Sequence, residues 1–68
     1  MSADQGQPFI DIRARFSQEE ALALAQLVKR ITFSDVRQNA VDESEAYVML
    51  DALNEVQKAL REAGYDPR

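Results

Sequence analysis

The chain has 68 residues and a mass of 7.7 kDa, with no cysteine and no histidine. That length excludes two domains and an enzyme pocket walled on every side. The missing residue types exclude disulfides, thiol nucleophiles, Ser-His-Asp triads and zinc ribbons.

Twelve acidic against eight basic residues give a net charge of -4 and a pI of about 4.6. Such a charge disfavours phosphate backbones and anionic lipid as partners. Leu, Ile, Val and Phe recur with a period, so the chain is expected to fold. No apolar run approaches the roughly 20 residues that span a bilayer. Residues 1–7 lack the basic and apolar regions of a secretory leader, so a cytoplasmic location is expected. A core this small rarely supplies more than about 3–5 kcal/mol without a staple. A homodimer or another protein partner is therefore expected to complete it.

Residues 1–8 are polar, carry Gly6 and Pro8, and read as a disordered tail. Residues 9–68 form the single small domain. From Phe9 to Phe16 the pattern alternates: Ile10, Ile12, Ala14 and Phe16 point one way, and Phe9, Asp11, Arg13 and Arg15 the other. Period two with β-branched and aromatic residues predicts a strand with one buried face. A lone strand leaves both edges unpaired, so pairing with the same strand of a second copy is the expected solution. The rival is an extended arm lying on the helices.

Ser17-Gln18-Glu19-Glu20 is a capping box that opens a helix over about 18–31, with Ala21, Leu24, Ala25, Leu27, Val28 and Ile31 facing the core. Thr32 and Asp35 cap a short helical turn through Phe33, Val36 and Arg37, with Asn39 as its left-handed exit. Asp42 and Glu45 cap a last helix over about 43–63, with Ala46, Met49, Leu50, Leu53, Val56, Leu60 and Ala63 in its apolar stripe. Gly64 ends it and Pro67 blocks continuation. The predicted fold is α+β: one N-terminal strand followed by two main α-helices, with a short helical turn between them.

A strand-helix-helix chain that dimerises through its strand resembles the ribbon-helix-helix repressors, whose outward strand side chains enter the DNA major groove. In this chain Arg13 and Arg15 would hold those nucleic-acid-binding positions. The ten-residue linker 32–41 and the acidic charge depart from that family, so a dimeric DNA-binding regulator stands as the alternative. The acids Asp42, Glu43 and Glu45 lack the alternation and central Gly of a calcium loop and are explained by capping. Glu19 and Glu20 diverge by about 100° on a helix and do not form a catalytic pair. No catalytic, metal or cofactor site is assigned, and no enzyme activity is expected.

Phe33 and Val36 are read as a lid in the core, with Asp35 and Arg37 in a compact loop of the kind that often binds. Leu22 falls off the core stripe of the first helix, and Tyr47, Val48 and Ala52 flank that of the last. Such surplus apolar surface marks a partner interface. Leu22, Asp35, Arg37, Tyr47, Val48 and Ala52 are the candidate partner-binding residues. The best functional reading is a non-catalytic module acting through protein–protein contacts.

The segments Ala-Leu-Ala-Gln-Leu-Val-Lys-Arg (23–30), Phe-Ser-Asp-Val-Arg (33–37), Glu-Ala-Tyr (45–47) and Ala-Gly-Tyr-Asp-Pro-Arg (63–68) resemble a family of small uncharacterised proteins of proteobacterial genomes, prophages and integrative elements. The resemblance covers residues 21–68. It implies a phage or mobile-element accessory protein and names no chemistry.

Overall fold

Ser17 starts the first helix. Its hydroxyl accepts from the Glu20 N–H at 3.0 Å, and the Glu20 carboxylate accepts from the Ser17 N–H at 2.9 Å. This reciprocal cap satisfies two backbone donors. In the computed structural model, which describes residues 8–66, α1 runs Gln18–Arg30. Glu19 and Glu20 at its start and Lys29 and Arg30 at its end complement the helix dipole. Ile31 is already extended and terminates it.

Thr32 repeats the device. Its hydroxyl accepts from the Asp35 N–H at 3.2 Å, while the Asp35 carboxylate accepts from the Thr32 N–H at 3.0 Å and from the Thr32 hydroxyl at 2.9 Å. The short helix α2, Phe33–Gln38, follows. Asn39 closes it in the right-handed helical region, not in the left-handed one expected of it. The reason is its side chain: the amide donates to the Asp35 carbonyl at 2.9 Å and satisfies a terminal acceptor without a left-handed residue.

Asp42 caps the long helix α3, Glu43–Glu62, accepting from the Glu45 N–H at 2.8 Å. Glu45 does not reach back to the N–H of the cap residue itself; it accepts from the Val41 N–H at 2.7 Å. At the far end Gly64 takes φ +98°, a conformation costly for any residue with a Cβ. Its N–H donates to the Arg61 carbonyl at 3.0 Å, and the Tyr65 N–H donates to the Leu60 carbonyl at 2.8 Å. This pair of bonds is the Schellman arrangement, and it turns the Tyr65 side chain back onto the helix.

α3 packs against both α1 and α2, which do not pack against each other. Ala21 and Ala25 of α1 meet Leu60 of α3, with Leu24 and Tyr65 against them. Val28, Val36 and Ala46 are the other buried apolar residues. Three of these six are alanines, so the helices approach closely but remove little apolar area from water. The apolar stripes are only partly covered: Leu27 is 58% exposed, and Val56 and Ala63 are exposed as well.

Every described element is a helix, so the protein is all-α. This overturns the predicted α+β class and its N-terminal strand paired across a dimer. Residues 8–17 form no secondary structure and are exposed throughout, Phe9 at 95% and Ile12 at 82%. Alternation favours an extended backbone, but a strand exists only when its N–H and C=O groups bond to a neighbouring strand. None is present among the described residues. The segment does not lie on its own helices either. The tail expected over residues 1–8 falls, apart from Pro8, outside the described residues, as does Pro67. Among the described residues no helix is long and apolar enough to cross a membrane.

Candidate functional site

Helix length decides where apolar surface is left open. At about 1.5 Å per residue, α3 is about 30 Å long, α1 about 20 Å and α2 only about 9 Å. Two shorter helices that lean on α3 without touching each other leave a gap between them. The gap is an open groove of about 340 Å³ lined by Ile31, Val36, Asn39, Met49, Ala52, Leu53 and Val56. Asn39 is the one polar lining residue, and its amide is committed to the Asp35 carbonyl.

A second apolar feature stands on the outer side of α2 and α3. The Phe33 and Tyr47 rings lie with centroids 5.4 Å apart at an interplanar angle of 36°. Both are exposed, as is Val48 beside Tyr47. A tilted pair at this distance holds both rings in place at low conformational cost.

The predicted partner-binding residues divide between these places. Ala52 lies in the groove. Tyr47 and Val48 stand on the exposed face, and Phe33 joins them there instead of filling the core; Val36 alone serves as the lid. Leu22 is exposed on α1, outside the groove lining. Asp35 and Arg37 are occupied locally. The Thr32 backbone N–H, and after it the Thr32 hydroxyl, hold the Asp35 carboxyl below its ordinary value of 3.8. Arg37 donates through Nη1 to the Ala40 carbonyl at 3.3 Å. Arg13 and Arg15 sit on the exposed extended segment, and the two-stranded ribbon that would aim them at DNA is not formed among the described residues.

Ile31, Met49, Leu53 and Val56 were legible in the sequence as core residues, but not as the walls of a groove. Their spacing is the same whether a third layer covers them or not. The signal available was length, since linker 32–41 is too short to cover the whole stripe of the last helix.

Several polar side chains are committed to local partners. Glu20, Asp35, Asp42 and Glu45 serve caps, and Arg61 pairs with Asp66 at 3.6 Å on the surface. Among the described residues no polar or charged side chain is buried, and no three potential metal ligands gather.

Among the described residues these features define a small all-α module of three helices with an open apolar groove and an exposed aromatic pair. The chain belongs to the family of unknown function DUF7706, whose model matches residues 1–68. This is consistent with the resemblance of residues 21–68 to a family of uncharacterised small proteins. No curated protein and no solved structure matches the chain.

Proposed function

We propose that the protein is a non-catalytic interaction module that acts in the cytoplasm through protein–protein contacts, as an accessory protein of a phage or mobile element. The genetic context rests on the resemblance of segments 23–30, 33–37, 45–47 and 63–68. The observation that carries the molecular reading is the exposed face of Phe33, Tyr47 and Val48. Two rings held against each other and left open to solvent offer a rigid apolar anchor of the kind that dominates interface energetics. The acidic side chains beside it, Glu43 and Asp51, favour a partner surface that is apolar at its centre and basic at its rim.

The test places a photo-crosslinking benzoylphenylalanine at Tyr47 or at Val48 in cells that make the protein. The reading expects the same protein adduct from both positions, lost on adding Phe33→Ala, with helical circular dichroism unchanged by that substitution. Adducts that survive Phe33→Ala, or that differ between the two positions, would sink it.

A further inference from the structure

Tyr47 stands in a row of carboxylates that the fold leaves unused. Residues four apart on a helix lie one above another, so Glu43, Tyr47, Asp51 and Glu55 form one row along α3. All four are exposed. Elsewhere the acids have local work: Glu20, Asp35, Asp42 and Glu45 serve caps, and Asp66 meets Arg61. Among the described residues Glu43, Asp51 and Glu55 make no ion pair or side-chain hydrogen bond. Like charges one turn apart repel, so the free helix holds Asp51 beside Glu55 at a cost.

We propose that this row receives a cationic segment of a partner protein, with an arginine guanidinium laid on the Tyr47 ring and bonded to Asp51. The proposal rests on the partner-binding reading of the Phe33, Tyr47 and Val48 face and names the chemistry of its partner.

The ring and the carboxylate together select a guanidinium. Phe33 lies 5.4 Å from Tyr47 and fixes its ring, yet Tyr47 stays 55% exposed and open to a further group. The face of an aromatic ring attracts a cation. Asp51 follows Tyr47 by one turn, about 6 Å along the axis. A planar guanidinium can stack on the ring and fork onto that carboxylate, whereas an ammonium is a compact point charge. Glu43 and Glu55 extend the negative field to either side and draw further basic side chains of the segment. Val48, exposed and three residues before Asp51, meets its apolar part.

The chain's own nearby cations do not neutralise the row. Arg37, one turn after Phe33, donates to the Ala40 carbonyl. Arg61 is paired with Asp66, and Lys58, within a turn of Glu55, forms no ion pair with it.

The test uses the full chain, isotope-labelled for magnetic resonance. It is titrated with three synthetic amphipathic peptides whose polar positions carry arginine, lysine or citrulline, the uncharged analogue of arginine. The arginine peptide is expected to shift the amides of residues 43–55 and the Tyr47 ring protons, and to weaken as salt is raised. It should bind about tenfold more tightly than the citrulline peptide, and more tightly than the lysine peptide. Tyr47→Leu keeps an apolar side chain and should abolish the preference for arginine over lysine. Glu55→Lys should weaken the arginine peptide while raising the thermal midpoint of the free chain, because a repelling pair becomes an attracting one. Equal binding of the arginine and citrulline peptides, or of the arginine and lysine peptides, would overturn the proposal. So would shifts confined to α1 and α2. Self-association of the native chain that is lost both with Arg13→Ala/Arg15→Ala and with Asp51→Asn would give the row to a second copy and overturn it as well. In cells, a Tyr47 adduct lost with Phe33→Ala but surviving Asp51→Asn/Glu55→Gln would keep the partner-binding reading and overturn this proposal alone. An adduct that survives Phe33→Ala would overturn both.

Discussion

The Tyr65 N–H donates to the Leu60 carbonyl at 2.8 Å while the Tyr65 side chain packs against the cluster that Leu60 forms with Ala21 and Ala25. One residue thus closes the backbone of α3 and helps join α3 to α1. The arrangement depends on Gly64 at φ +98°, where an added Cβ would meet nothing within 4 Å. Gly64→Ala is therefore expected to cost about 1–2 kcal/mol from backbone strain alone, and Tyr65→Ala about 1–2 kcal/mol from lost packing. Urea unfolding should show both midpoints lowered; a neutral Gly64→Ala would mean that the helix end relaxes freely.

The caps carry a second expectation. Ser17→Ala and Asp42→Ala should each cost about 0.5–2 kcal/mol, because each leaves a first-turn N–H without its acceptor. Ser17→Asp retains an acceptor at the same place and should restore most of the loss. Chemical denaturation of the three variants decides the matter.

Acid should loosen the cap of α2. Thr32 holds the folded-state pKa of Asp35 below its ordinary value of 3.8. A depressed carboxyl stabilises the folded state fully above the unfolded value, and that contribution fades as pH falls through the folded value. The Thr32 amide resonance should accordingly titrate at a pH below 3.8, the ordinary Asp35 value. In Asp35→Asn that titration should vanish. A Thr32 amide indifferent to pH would mean that the cap is not formed in solution.

Close approach at Ala46 gives a fourth expectation. Ala46 is 0% exposed, whereas Ala59 on the same helix is exposed. Ala46→Leu forces extra carbons between α3 and its neighbours and should cost about 1–3 kcal/mol. Ala59→Leu should stay within about 0.5 kcal/mol of the parent. Similar thermal midpoints for the two variants would show that α3 does not approach its neighbours as closely as described.

Local signals marked the helix starts, where the physics is local, although Asn39 does not take the left-handed exit expected of it. Ser17, Thr32 and Asp42 mark the helix starts because a hydroxyl or carboxylate competes for the nearest free N–H groups, whatever surrounds it. The α3 end was legible at Gly64, although the return of Tyr65 to the core was not. It depends on Ala21 and Ala25 being in place beside Leu60 to form the cluster that Tyr65 packs against, and those two residues lie about forty positions earlier in the chain.

Two things needed the tertiary structure. The alternation from Phe9 to Phe16 specifies which side chains share a side of an extended segment, but a strand is a relation between two backbones. Only the folded chain shows whether a second one is there. The stripe of α3 likewise specifies which residues are apolar, but not which are covered. Val36, Ala46 and Leu60 are buried while Val56 and Phe33 are not, because two short helices cannot cover one long helix and do not meet between themselves. The sequence by itself determined the helix boundaries and the apolar faces, since capping and periodicity act over a few residues. The mutual placement of the helices decided which part of those faces stays open as a groove, because burial depends on atoms that are distant in the chain.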